Sequence, residues 1–492
     1  MFEEGVIFLM DNKMLIESID FGNVDAESDD DLERKFVKTN DFFELKNPKI
    51  ALILGAKGSG KSALFKVLSN IDDGLNKDLF SGDEPVIVTG TGFKDISEVS
   101  TDDIEKMVDM GMGYDKIWEL YIAFKIANKL GNLQWFGDGE ELNKYYHQSG
   151  ILTDYRILPI LKGLYSTLIG GKNDELKIKI SDVDLEVKSN GDGAIDVIDL
   201  LIDINNILEQ ENKDCWILFD KIDELYADDY EKRRICIESL FRVYLNFVSR
   251  FPRVKFKIFL RTDIWATLNL VNKSHISDKI INLKWSEYDL LKLIVKRILQ
   301  SDSVCQYISA VTGLEKQSML DKNNINDVFY TIFPRQAYAG KKEAKLIKWM
   351  MSRIEDGIGG KYPREFINFG IEAKKISMEE GEYDGESLFS QNVIRLAYVK
   401  VSKTKCETYL SEFPSLKNHF IRFHGHATYK YTRQEIIDIM DGLSPARDEM
   451  IRQLYEVGLL RPAGNKNLAA ATEFEIPKLF RPGLQLQLKG RL

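Results

Sequence analysis

The chain has 492 residues and a mass of 56.5 kDa, more than one hydrophobic core usually serves, so a single small module is excluded and two or three domains are expected. Hydrophobic residues make up 44% and charged residues 29%, with 11 prolines, which excludes a largely disordered or low-complexity chain. The net charge of -10 argues against one large nucleic-acid-binding surface, but residues 391–492 hold 16 Lys and Arg against 10 Asp and Glu, a net of +6. The last hundred residues therefore form a separate electrostatic unit. No apolar run approaches the roughly 18 residues that span a bilayer, and acids stand where a signal peptide carries basic residues; a soluble, cytoplasmic protein without membrane contact is expected. Cys215, Cys236, Cys305 and Cys406 show no CxxC or CxH spacing, which points to reduced, buried thiols and away from a disulfide framework or a zinc site.

In chain order, the acidic stretch Asp25 to Glu33 reads as an exposed turn, followed by a short amphipathic helix leading to the first core strand. Residues 49–54 (KIALIL) are apolar enough for a strand buried on both faces, as in parallel sheets. That run enters the glycine-rich GAKGSGKS and then the helical pattern SALFKVLSN. Residues 86–89 (VIVT) predict a second strand, bracketed by Pro85 and Gly90. A helix is expected around residues 114–130, a hairpin-like alternation in LKIKISDVDLEVKSNGDG, and a helix over 194–210; the segment of about 95–195 otherwise holds no placeable motif. CWILF (215–219) predicts a strand ending in DKIDEL, a long helix covers about 230–250, and VKFKIFL (254–260) predicts a strand ending in Arg-Thr-Asp. From about 276 to 385 the periodicity is helical throughout. In the last block, helices in RQEIIDIMDGL and ARDEMIRQLYEVGLL alternate with strand-like TEFEIP and GLQLQLKG, a winged-helix pattern.

Gly55, Ala56, Lys57, Gly58, Ser59, Gly60, Lys61 and Ser62 match G-x-x-x-x-G-K-[ST] without departure. Glycines let such a loop turn its backbone N–H groups inward around a phosphate chain, in conformations that a side chain blocks. Lys61 then reaches the terminal phosphates and the Ser62 hydroxyl ligates Mg2+. With Ala63 the chain is in a helix whose N-terminal dipole faces the same anion. A glycine-rich turn that merely fits the pattern is the bland alternative, and the strand before the loop and the helix after it speak against it.

A phosphate loop needs a second strand that carries an acid to hold Mg2+ through water, and CWILFD ends in Asp220. The alternative for Asp220 is a solvated strand-end charge. Where many ATPases place the base that orients the attacking water stands Lys221. Asp223 and Glu224 are the remaining acids, each either that base or an ordinary acid at a helix start. Arg261, Thr262 and Asp263 are either a γ-phosphate sensor or a structural ion pair. Arg364 follows a helix-start proline, which needs no function, or leans onto bound phosphates. His424 and His426 suit a surface loop better than a metal site. Arg233, Arg234 and Arg242, on the helix after Asp220, are candidates to complete a neighbouring subunit's site.

Together, the strand, the loop, DKIDEL and FLRTD resemble an additional-strand P-loop NTPase of the AAA+, STAND and KAP neighbourhood. More narrowly, FVKTNDFFELKNPKIALILGAKGSGKSAL, FLRTDIW, RIEDGIGGKYPREFI and FEIPKLFRPGL are similar to a family of bacterial stand-alone P-loop ATPases frequently encoded in mobile and anti-phage defence islands. That resemblance implies an α/β parallel-sheet core with a helical lid and a C-terminal winged helix, ATP as ligand and Mg2+ as cofactor. The KAP-like pattern usually shows two adjacent acids at the positions of Asp220 and Lys221, so the lysine implies slow or partner-activated hydrolysis.

The expected domains are an N-terminal arm (1–48), a P-loop core (49–275) with an insertion at about 95–195, a helical lid (276–385) and a winged-helix-like domain (386–492). Expected partners are ATP, further copies of the chain and a protein effector encoded nearby. The leading functional reading is an ATPase that acts as a nucleotide-dependent, self-associating switch in anti-phage defence. A DNA loader or regulator that binds nucleic acid through residues 391–492 is the alternative, and a metabolic phosphotransferase the third.

Overall fold

The computed structural model describes residues 11–29, 31–70, 77–80, 84–92, 104–105, 108–109, 113–132, 178–180, 183–185, 197–226, 229–381, 387–465 and 467–486. Most of the segment of about 95–195 lies outside the described residues, as do residues 194–196 of the expected helix, which is described as Val197–Gln210. The chain divides into two compact units, one drawn from 40–55 and 64–282, the other from 1–39, 56–63 and 283–492.

The first of these units is built on a parallel sheet of β1 (Leu52–Gly55), β2 (Val86–Gly90), β5 (Cys215–Phe219), β6 (Val254–Arg261) and β7 (Ile280–Asn282), in the order β2-β5-β6-β1-β7. β6 stands between the strand that leads to the phosphate loop and the strand that ends at Asp220, the additional-strand arrangement of P-loop NTPases. Every residue of β1 and β5 is buried, which is why these strands read as unbroken apolar runs instead of alternating ones. Aromatic rings fill the core: Phe219 meets Trp118 edge-on and stacks on Phe256, and Phe247 meets Phe256. β3 (Ile178–Ile180) and β4 (Val183–Leu185) pair antiparallel, as the hairpin-like alternation suggests.

Two boundaries in this unit differ from the sequence expectation. β1 starts at Leu52 and not at Lys49, because residues 47–50 make a turn, with Ile50 N–H donating to Asn47 O. A lysine explains that turn: Lys257, fully buried on β6, donates from Nζ to the carbonyls of Leu45, Asn47 and Ile50, each at 2.8 Å, and lies over the Trp216 ring. Residues 280–282 are a strand within the stretch expected to be helical throughout. Three residues are too short a run for periodicity to separate strand from helix.

In the other unit, the N-terminal segment clasps helices of the same unit. Lys374, on the helix Pro363–Glu380, donates to the carbonyls of Glu17 and Ile19 at 2.8 and 2.6 Å, and Arg297 bonds the Phe21 carbonyl. The acidic stretch is exposed at Asp25, Glu27, Asp31 and Glu33, as expected, but Asp29 departs from it: it is buried, with Lys35 at 3.1 Å and Arg297 at 3.1 Å neutralising its charge.

The end of the chain is a winged helix. β8 (Lys430–Thr432), β9 (Arg461–Pro462) and β10 (Glu473–Glu475) form an antiparallel sheet in the order β8-β10-β9, with helices Arg433–Ile439 and Arg447–Glu456 between β8 and β9. Thr432 and Glu435 close a reciprocal cap on the first helix. The strand-like GLQLQLKG is not a strand where it is described. Leu484 N–H donates to Phe480 O and Leu486 N–H to Arg481 O, so a turn buries both leucines in the winged-helix core; residues 487–490 lie outside the described residues.

All four cysteines are free and buried, and burial pushes the Cys236 and Cys406 thiols up to about 12. Among the described residues, no helix is long and apolar enough to cross a membrane.

Candidate phosphate site

At the C-terminal edge of the parallel sheet, Gly55 ends β1 in register with Arg261, the last residue of β6. Asp220 follows β5, buried, with its N–H donating to Gly90 O. Lys221 then takes a left-handed conformation (φ 58°) and starts the short 3-10 turn Ile222–Glu224. For a residue with a side chain that conformation costs about 1–2 kcal/mol, and it reverses the chain where a strand would continue. One consequence is that Asp223 Oδ2 comes to 3.9 Å from Arg261 Nε, whereas Glu224 is exposed.

Arg261 itself holds Asp263 bidentately, Nε to Oδ1 at 3.0 Å and Nη2 to Oδ2 at 2.7 Å. The Arg-Thr-Asp cluster is therefore an ion pair that also faces Asp223. On the helix Tyr230–Arg250, Arg234 pairs with Glu231 and Glu238 and Arg242 with Asp115, while Arg233 lies over the Tyr230 ring.

The phosphate loop belongs to the other unit with its supports. Gly58 (φ +84°) and Gly60 (φ +95°) both use the left-handed region open to glycine. Lys61 Nζ donates to Ala56 O at 3.1 Å, and the helix Lys61–Ser69 places Ser62 and Ala63 in its first turn. Two residues outside the motif hold the loop. Trp285 Nε1 donates to Ser59 O at 2.8 Å, and Arg364 packs on Gly58, its N–H 3.4 Å from Gly58 O. A Cβ at Gly58 would lie 2.8 Å from Arg364 Cβ.

Lys57 Nζ lies 2.9 Å from Glu412 Oε1, and Arg364 Nη1 lies 3.8 Å from the same oxygen. Sequence reasoning reached Arg364 but missed Trp285 and Glu412. Trp285 precedes the cap residue Ser286, and nothing in that local pattern points to a loop 226 residues away.

These residues fit a polyphosphate. Ser59 Oγ and Arg364 Nε are buried without a hydrogen-bond partner among the described residues, and such groups are costly to leave unmet. Two left-handed glycines, an ammonium, a guanidinium and a helix N-terminus make an anion cradle. Mg2+ in such a site draws ligands from substrate phosphates and water, so it needs few from the protein. Among the described residues, no group of three or more His, Cys, Asp and Glu could hold a metal by itself.

No family model matches the chain, and no curated protein does. Among solved structures, that of the Aeropyrum pernix ORC2 protein in ADPNP–ADP complexes is similar over 91% of this chain and 91% of its own, with 11% identity and a TM-score of 0.41. Cdc6p from Pyrobaculum aerophilum is similar over 90% of each chain, with 12% identity and a TM-score of 0.32.

Proposed function

We propose that the chain is a Mg2+-dependent ATPase that uses nucleotide binding and slow hydrolysis as a conformational switch, acting through self-association in a bacterial anti-phage defence pathway. The observation that carries the catalytic part is the phosphate loop itself, with two left-handed glycines and a buried serine hydroxyl and arginine nitrogen that lack partners among the described residues. In this reading residues 55–63 bind the phosphates, Ser62 and Asp220 hold Mg2+, Arg364 leans onto the phosphates and Asp223 orients the attacking water. The position of Asp223 beside Arg261 supports its choice over the exposed Glu224. Lys221 in place of a second acid supports slow turnover. Support for the defence setting is the resemblance of the motif blocks described above.

The winged helix is, in this reading, a protein-contact unit. Its helix Arg447–Glu456 carries two arginines against three carboxylates. Arg452 is held by Glu449 at 2.6 Å and Glu456 at 2.7 Å, and Arg433 pairs with Asp448. Charges already neutralised in this way release few counterions from a DNA backbone.

Thermal melts of the full chain with and without Mg-ATP test the reading. At ligand about 100-fold above Kd the wild type should gain roughly 2.7 kcal/mol, and Lys61→Ala should gain nothing while folding normally. An equal gain in Lys61→Ala refutes the loop assignment. Hydrolysis per subunit should rise with protein concentration, and DNA should bind weakly or not at all at low salt.

A further inference from the structure

The helix Gln391–Glu412 ends in Glu412, and the chain continues from it into the winged helix. The Glu412 side chain is 4% exposed. Its Oε1 is near Lys57 and Arg364 at the distances given above, yet it makes no aligned hydrogen bond to either, and Arg364 Nε has no partner among the described residues. Seven residues earlier on the same helix, Lys405 Nζ donates to Glu365 Oε1 at 2.8 Å. Successive residues Arg364 and Glu365 thus meet Glu412 and Lys405, opposite charges in opposite order. Burial pulls the Lys405 ammonium down, but the nearby charges of Glu365 and then Glu412 outweigh it and hold Lys405 above the usual lysine range.

A buried carboxylate costs several kcal/mol to desolvate, and its partners must return that through charge and hydrogen bonds. Glu412 Oε1 has charge alone, and two of the cations that supply it, Lys57 and Arg364, belong to the phosphate loop or pack on it. A polyphosphate offers those cations more charge and more oxygens than one carboxylate does.

We propose that Glu412 is an internal counter-anion of the phosphate site, which competes with the nucleotide for Lys57 and Arg364, so that phosphate binding frees the last turn of Gln391–Glu412. This rests on the ATP reading of the loop and names its regulation: the charge of the nucleotide is exchanged for a change at the entry to the winged helix.

The test is calorimetric affinity of the full chain for ATP, ADP and adenosine, in the wild type, Glu412→Gln, Lys57→Gln and the double variant. Glutamine keeps the volume and removes the competing charge. Glu412→Gln should bind ATP and ADP roughly tenfold more tightly, as expected when one charge of a close set is neutralised, with adenosine unchanged. The gain should shrink in the Lys57→Gln background, which a purely structural role would not produce. Unchanged or weaker ATP binding by Glu412→Gln overturns the proposal. Should that variant fail to fold, hydrogen exchange on the wild type decides: Mg-ATP should speed exchange at residues 409–416, and unchanged or slower exchange refutes it. A wild type that binds no ATP overturns the loop reading and this inference together. A wild type that binds while Glu412→Gln fails to tighten overturns this inference alone.

Discussion

Gly58→Ala separates the backbone role of a glycine from its role as a contact. At φ +84° any residue with a side chain bears about 1–2 kcal/mol of strain. A new Cβ would also lie 2.8 Å from Arg364 Cβ and 3.2 Å from its Cδ. Arg364 Cβ is fixed to the backbone beside Pro363 at the start of its helix, so no rotamer change relieves the overlap, and overpacking adds about 1–3 kcal/mol. The expected loss is about 2–5 kcal/mol. Gly313→Ala is the matched control, since Gly313 has φ +73° at the end of the helix Asp302–Thr312 and nothing within 4 Å of its Cβ position. It should lose only the backbone part, about 1–2 kcal/mol. Thermal melts read the difference, at about 2–4 °C per kcal/mol for a domain of this size. Mg-ATP should stabilise Gly313→Ala as it does wild type but protect Gly58→Ala much less, because Arg364 and the loop are pushed apart. Equal melting losses in the two variants, or full ATP protection of Gly58→Ala, would refute the packing argument.

Single-turnover hydrolysis should slow markedly in Asp223→Ala and little in Glu224→Ala, with ATP binding kept in both; equal wild-type rates exclude both acids as the base. Burial pushes Asp356 up to about 6 from its ordinary 3.8, against hydrogen bonds from the Gly360 and Ile358 N–H groups. Between those values the native state holds the proton more than the unfolded chain, so this contribution to stability is present at low pH and is lost as pH rises through 6. Asp356→Asn should therefore flatten the stability–pH curve between pH 4 and 6 in urea titrations and be neutral or stabilising at pH 7–8; an unchanged slope refutes it. Lys257→Met should cost about 2–5 kcal/mol in urea unfolding, because three carbonyls lose their shared donor; a neutral result would show that water replaces it.

What the sequence made legible was local. The phosphate loop could be read because its glycines answer a backbone need within eight residues, and Gly58 and Gly60 meet it. The helix Tyr230–Arg250 could be read at both ends, since Asp229 caps it and Pro252 follows its C-cap residue Phe251. Features set by distant partners were hidden. The edge strand β7 has only three residues, and its pairing with β1 is a fact about chain more than 200 residues away. Asp29 looks like solvated charge until Arg297 and Lys35 come to it. Trp285 and Glu412 were invisible for the same reason: each meets the loop through one side chain, and neither sits in a pattern of spacing that local chemistry would require. The Arg261 contacts are of the same kind: its pairing with Asp263 spans two residues, but Asp223 alongside comes from another strand end.

The Trp285 hydrogen bond to the Ser59 carbonyl gives the molecule an optical readout of its own. Indole emission responds to the loss of a hydrogen bond and to nearby charge, and this ring also lies 3.6 Å from where a Cβ of Gly60 would sit. Rearrangement of residues 58–60 around an anion would thus alter the fluorescence of one tryptophan without any attached dye. Trp285→Phe supplies the blank, because it keeps a ring at that position and removes the donor. The difference between the two proteins would follow nucleotide arrival at the loop on the stopped-flow timescale, separately from any later release of phosphate.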